Sequence, residues 1–264
     1  MIGAIFGDIV GSVYEFDNIK TKDFELFTDK CFFTDDTVMT VAVASALLEF
    51  PDALNEIEAF KKTLIDKMHL LGNEYPDAGY GGRFEKWLIN RNTEPYNSFG
   101  NGSAMRVAPV AWYGKTLEEV EKLAVATSEI THNHPEGIKG AVVTAGAAFL
   151  ARKGRTKDEI KSYIEKHYDI DFTVDEIRPV YEFNETCQKS VPEALVCFLE
   201  SESFEDAVRN CISIGGDCDT TATICGAVAQ GFYGMTDEQM NNAFSYLFDR
   251  FSEIVLEFKN KYIN

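Results

Sequence analysis

No two cysteines in this chain have the CxxC spacing, and the six present (Cys31, Cys187, Cys197, Cys211, Cys218, Cys225) form neither a His-containing zinc pattern nor a disulfide-like cluster. That excludes zinc ribbons and disulfide-stapled scaffolds; reduced, mostly buried thiols in a cytoplasm are expected. An excess of positive charge is also missing, since 25 Lys and Arg stand against 43 Asp and Glu for a formal net charge of −18. Such a surface repels phosphate backbones and anionic lipid, so neither direct nucleic-acid binding nor membrane-surface binding is expected, and an anionic substrate must meet a local exception. The apolar start, Met1 to Phe16, is interrupted by Asp8 and Glu15 and has no basic leader, so it reads as neither a signal peptide nor a membrane span. Strand alternation, internal repeats, low-complexity tracts and linker-like stretches are absent too. What remains is one large domain over residues 1–264, whose 45% hydrophobic residues suffice for a sizeable core.

Helical periodicity fills that domain. It marks Ile2 to Val13, Val38 to Phe50, Leu54 to Leu71, Leu117 to Ile130, Glu136 to Ala151, Asp158 to His167, Phe204 to Ile214 and Asp237 to Phe258. Gly3, Gly7 and Gly11 recur every four residues and bare one helix face to very close packing, which makes the first helix central. Ala-rich stretches at Val38 to Leu48, Val142 to Phe149 and Ala222 to Ala229 read the same way. The loops richest in Gly, Asn, Asp and Pro are Asn73 to Gly82, Asn90 to Gly102, Thr131 to Gly137 and Ile214 to Asp217. Functional groups are expected on such loops, held by rigid helices.

Two acidic runs carry the chemistry: Thr34-Asp35-Asp36-Thr37, and Gly215-Gly216-Asp217-Cys218-Asp219-Thr220-Thr221. Each precedes a helix, so each alone reads as an N-cap. A cap needs one such residue, however, and neighbouring acids repel unless a cation or a proton intervenes. If the runs meet, four carboxylates and several hydroxyls make a hard-oxygen cluster suited to Mg²⁺ or Mn²⁺, and four negative charges match two divalent ions. Ser98-Phe99-Gly100-Asn101-Gly102-Ser103 is a glycine-containing loop before a helix expected over Ala104 to Ala111, an arrangement that offers backbone N–H groups to an anion or is an ordinary capped turn. His132 and His134 flank Asn133 with no third nitrogen or sulfur ligand nearby, which weakens a zinc reading; His134 is expected to cap or pack. Arg106 is placed inside the expected helix, able to neutralise a buried acid or touch phosphate.

The runs Gly7-Asp8-Ile9-Val10-Gly11-Ser12-Val13-Tyr14-Glu15, Phe33 to Thr37, Gly100 to Arg106, Thr131-His132 and Gly215 to Thr220 together resemble the ADP-ribosylglycohydrolases of the dinitrogenase reductase-activating type. The resemblance runs in order from about residue 3 to 234. It implies an all-α, compact orthogonal multi-helix domain with a two-metal cleft. It further implies that Thr34, Asp35, Asp36, Asp217, Asp219 and Thr220 ligate two Mg²⁺ (Mn²⁺ being the substitute). Glu15 and Asp35 are the residues it assigns to catalysis, Glu15 from a mobile loop. Ser98, Phe99, Gly100, Asn101, Gly102 and His132 would bind ADP-ribose. Asp77 is a turn residue that some relatives use as a further acid, and Tyr80 or Phe99 is a candidate to stack on adenine.

The implied reaction is hydrolysis of a glycosidic bond, releasing ADP-ribose from a modified protein or small acceptor, with an arginine linkage first and serine-linked or O-acetyl-ADP-ribose next. A non-catalytic ADP-ribose-binding or immunity protein is the second class, disfavoured by the complete acidic set. An unrelated all-α metal hydrolase of phosphates is the third. The sequence fixes no oligomeric state.

Overall fold

The computed structural model describes residues 1–263, and every regular element among them is a helix. In chain order these are α1 (Ile2–Gly11), α2 (Asp35–Glu49), α3 (Ile57–Glu74), α4 (Gly82–Ile89), α5 (Gly102–Met105), α6 (Ala108–Tyr113), α7 (Leu117–Glu129) and α8 (Pro135–Arg152). They continue with α9 (Lys157–Ile164), α10 (Val174–Ile177), α11 (Cys187–Leu199), α12 (Phe204–Ile214), α13 (Cys218–Tyr233), α14 (Asp237–Phe244) and α15 (Asp249–Phe258), then a π-helical turn over Lys259–Ile263. The only β feature among the described residues is an isolated antiparallel bridge between Gly100 and Thr186. None of the helices is long and apolar enough to cross a membrane.

The centre is the α1–α13 pair. All ten residues of α1 are buried, as is α13 from Cys218 to Gln230, the condition of helices enclosed on every side. A Cβ on Gly3 would lie 2.3 Å from the Gly226 carbonyl oxygen, one on Gly7 2.2 Å from that of Ala222, and one on Gly11 2.3 Å from the Asp219 Cα. The glycine stripe is therefore a backbone-on-backbone contact, and its last member sets the first turn of α13 against the end of α1. Around this pair, α8, α11 and α12 pack on α13 and α2 packs on α1. One continuous apolar core extends from Met1 to Phe258.

Local signals place the ends. Thr116, Thr156, Thr173 and Thr236 each close a capping box with the residue three positions on. His134 caps α8, its Nδ1 accepting from the Glu136 N–H at 3.1 Å, with Pro135 at the first helical position.

Two expectations are corrected, and one long helix goes unread. The helix expected over Ala104 to Ala111 is two short ones, α5 and α6, because the chain leaves α-helical hydrogen bonding at Arg106 and Val107, so Arg106 sits at a helix junction. The helix expected over Asp237 to Phe258 is α14 and α15, because Tyr246 and Leu247 bond three residues back and Phe248 turns extended (φ −68, ψ 156), stacking on Tyr75. Helix α11 escaped the periodicity reading; Pro192 lies inside it, a residue that ordinarily breaks a helix.

Candidate active site

Asp8 organises the first acidic run. It is fully buried on α1 and accepts the Thr34 N–H (2.9 Å), the Thr34 hydroxyl (2.7 Å) and the Thr37 N–H (3.0 Å). Thr34 is the extended N-cap of α2, and its hydroxyl accepts from the Asp36 N–H at 3.3 Å. The Asp35 N–H donates to the Ala78 carbonyl at 2.8 Å, tying the run to the turn before α4. The sequence reading passed over Asp8 as part of this arrangement. Its signal was a single acid within a helix otherwise apolar or glycine.

The second run depends on Gly215 (φ +69) and Gly216 (φ +74), a left-handed pair that side chains rarely adopt, turning the chain sharply into α13. Asp217 then takes the N-cap position, and Asp219 and Thr220 fall in the first turn. Asn18, also unread from sequence, staples this turn to the one bearing Glu15. Its side chain accepts from the Gly216 N–H (2.6 Å) and donates to the carbonyls of Gly216 (3.0 Å), Glu15 (2.9 Å) and Tyr14 (2.7 Å). Asn101 donates to Asp217 Oδ2 at 2.7 Å and to Ser190 Oγ at 3.1 Å, so this residue of the glycine loop also orients an acid.

The two runs meet. Carboxylate oxygens of Glu15, Asp217 and Asp219 all lie within 4.8 Å of one another. The Thr220 hydroxyl donates to Asp36 Oδ2 at 3.2 Å, while Asp36 Oδ1 is buried with no hydrogen-bond partner. Burial first, and then the mutual repulsion of the acids, push Asp35, Asp36 and Asp219 well above the ordinary carboxylate range. Burial raises Asp217 against opposing hydrogen bonds from Asp219, Asn101 and Thr220, and raises Asp8 against those from Thr34 and Thr37. Glu15 is pushed up to about 7 by burial and then by Asp217 and Asp8. An orphaned buried oxygen, an all-oxygen donor set and unneutralised repulsion fit hard divalent cations of the Mg²⁺ type. Cys218, between two of the acids, points its thiol at the Gly11 carbonyl (3.7 Å) and stays out of the donor set.

A cleft of about 510 Å³ opens over this cluster. Each site residue singled out from sequence lines it: Glu15, Thr34, Asp35, Asp36, Ser98 to Gly102, His132, Asp217, Asp219 and Thr220. Asp77 lines it too, from the turn before α4. Phe16, Phe32, Phe99 and Phe183 stand exposed at its edge, with Phe16 and Phe183 stacked at 6.3 Å. Tyr80 lies against Phe84, itself a residue of the cleft wall.

Two arginines line the cleft, one exposed and one buried. Arg106 is 1% exposed and donates to the Thr127 carbonyl (3.0 Å) and the Thr131 hydroxyl (2.7 Å). Arg83 is exposed at the cleft, over the Tyr96 ring at 4.9 Å and bonded to the Tyr96 carbonyl. In the glycine loop the Gly100 N–H donates to Ser98 Oγ (3.2 Å) and the Asn101 N–H to the Glu185 carbonyl (2.8 Å). Those two amides are thus engaged within the protein.

Residues 1–237 match the family model described as ADP-ribosylglycohydrolase. The mouse protein named ADP-ribosylhydrolase ARH3 is 28% identical over 96% of this chain and 87% of its own length. The ADP-ribosyl-[dinitrogen reductase] glycohydrolase of Rhodospirillum rubrum is 28% identical over 55% of this chain and 50% of its own. A solved structure titled as an ADP-ribosylglycohydrolase-related protein complex superposes with a TM-score of 0.69 at 20% identity, covering 98% of this chain and 96% of the other, which speaks to the fold alone.

Proposed function

Because the chain belongs to the ADP-ribosylglycohydrolase family, hydrolases of ADP-ribose glycosidic bonds, we propose that it is a Mg²⁺-dependent member that releases ADP-ribose from a modified protein or small acceptor. The observation that carries the metal reading is the convergence of half-buried Glu15 with buried Asp217 and Asp219 beside the unpartnered Asp36 Oδ1. Thr34, Asp35 and Asp36 would hold the cations from one side and Asp217, Asp219 and Thr220 from the other. When bound, the ions supply Lewis-acid charge at the ribose hydroxyls beside the scissile anomeric carbon.

Cleavage there develops an oxocarbenium-like positive charge, which the surrounding carboxylates stabilise. Glu15 is partly buried and titrates near neutrality in the metal-free protein, so it can hold a proton for the departing heteroatom or remove one from the incoming water. Asp8, Asn18 and Asn101 position these acids. In the same cleft, Arg83, the glycine loop and His132 suit the pyrophosphate and distal ribose, and the exposed Phe99 ring suits the adenine face.

Arginine-linked mono-ADP-ribose is the first substrate in this reading: Glu185 and the exposed Phe16 and Phe183 rings line the same cleft as Glu15 and suit a guanidinium acceptor. Serine-linked or O-acetyl-ADP-ribose is second; the relatives named ADP-ribosylhydrolase ARH3, which align over most of the chain, carry no arginine linkage in their name. The test is release of free ADP-ribose from matched arginine- and serine-linked peptides, in Mg²⁺ and in EDTA. Metal-dependent release from one identifies the linkage. Tight ADP-ribose binding without release from either overturns the hydrolase reading in favour of a binding module.

A further inference from the structure

The fully buried Thr131 hydroxyl stands between Arg106 and His132. Arg106 Nη2 donates to Thr131 Oγ1 at 2.7 Å, and Thr131 Oγ1 lies 2.8 Å from His132 Nδ1. A guanidinium has donors only, so Thr131 must accept from it. The other polar atom at hydrogen-bond distance from this hydroxyl is His132 Nδ1, so the hydroxyl's single hydrogen is used only if Nδ1 accepts it, which leaves the ring proton on the other nitrogen. The reverse assignment would bury a hydroxyl hydrogen with no use.

The opposite edge of the ring faces the glycine loop. A Cβ on Gly102 would come within 3.2 Å of His132 Nε2, and one on Gly100 within 3.6 Å. Neither glycine has a positive φ, so at Gly102 the demand is for space beside the imidazole rather than for an unusual backbone. The backbone of His132 is fixed as well, its N–H donating to the Ser128 carbonyl (2.8 Å) and its carbonyl accepting from the Ser128 hydroxyl (3.1 Å).

We propose that Arg106, acting through Thr131, fixes His132 with its proton on Nε2, so that the ring presents a hydrogen-bond donor to a phosphate or ribose oxygen lying against Gly100 and Gly102. Arg106 and Thr131 are positioning residues in this scheme. The identity of the ligand rests on the functional reading above; the proton position does not. Burial, with the nearby charges of Arg106 and Arg83, also holds His132 well below the usual histidine range, so that the ring carries one proton at neutral pH.

The test reads the tautomer directly in the free full-length protein, by long-range ¹H–¹⁵N correlation at pH 7.5, with His132 assigned by difference from His132→Gln. Wild type and Thr131→Ser are expected to show a protonated Nε2 and an accepting Nδ1. Thr131→Val is expected to show a mixture of tautomers and to bind ADP-ribose about 3–10-fold more weakly, with Thr131→Ser restoring the affinity. A protonated Nδ1 in wild type overturns the proposal, as does an unchanged tautomer in Thr131→Val. If Thr131→Val does not fold, the wild-type and Thr131→Ser spectra decide alone. A protonated Nε2 in a wild-type protein that fails to bind ADP-ribose supports the relay and overturns the functional reading instead.

Discussion

Asp8 accepts both the backbone N–H and the hydroxyl of Thr34, at 2.9 and 2.7 Å, so a residue of the central helix fixes the turn that carries Asp35 and Asp36. An amide in its place can accept at one oxygen only. Asp8→Asn in Mg²⁺ is expected to lower stability by about 2–3 kcal/mol and metal affinity by about 10–100-fold. Denaturant titration and calorimetric Mg²⁺ binding check this; unchanged metal affinity would show that the Asp8 bonds do not support the site.

The raised carboxylates set a pH dependence with a defined sign. Each acid binds protons more tightly in the folded, metal-free chain than unfolded, so its stabilising contribution is present at low pH and is lost as pH rises through the folded value. For Glu15 that window runs from 4.5 to about 7. Cations need the deprotonated acids. The difference in Tm between millimolar Mg²⁺ and EDTA is therefore expected to be near zero at acidic pH and to grow to about 5–10 °C above neutrality. Taking the difference cancels groups that shift the other way, such as the buried N-terminus and His132. A difference that is flat or shrinks with rising pH contradicts the metal assignment.

Glu15→Gln should lower kcat by about 10²–10⁴-fold while leaving ADP-ribose binding within a few-fold. Its carbonyl still accepts from Asn18, so the turn keeps its anchor. Full turnover in this variant would remove Glu15 from the proton-transfer role.

Arg83 is the exposed cation of the cleft, in a chain of net charge −18. Arg83→Gln is expected to weaken ADP-ribose binding by about 10–100-fold, most at low salt, and to leave ribose alone unaffected. Equal losses for both ligands would mean that the arginine shapes the cleft without meeting the pyrophosphate.

Gly226→Ala would set a Cβ 2.1 Å from the Gly3 carbonyl oxygen, where only backbone can yield. A loss of about 1–3 kcal/mol is expected, read as a lower denaturation midpoint. A neutral substitution would mean that α1 and α13 are not held in this contact.

The acidic runs were legible because clustered acids at two helix starts are costly unless something neutralises them, a cost visible without coordinates. The helix over Phe204 to Ile214 was legible to the residue, since its apolar stripe ends at a glycine. Asp8 and Asn18 were not, because a lone polar residue declares its partners only when Thr34 or Gly216, far along the chain, is brought to it. Arg106 was misplaced for a local reason: Pro109, in the first turn of α6, cannot continue the hydrogen bonding of the helix that periodicity alone would have run through it.

The meeting of Asp36 with Thr220 spans 184 residues of chain. At ordinary synthesis rates the first acidic run leaves the ribosome roughly 10–40 s before its counterpart. Throughout that interval α1, destined for complete enclosure, has no α13 to receive its glycine face. The nascent chain must keep this segment from aggregating, and the acidic cluster is complete only late in synthesis, once α13 emerges.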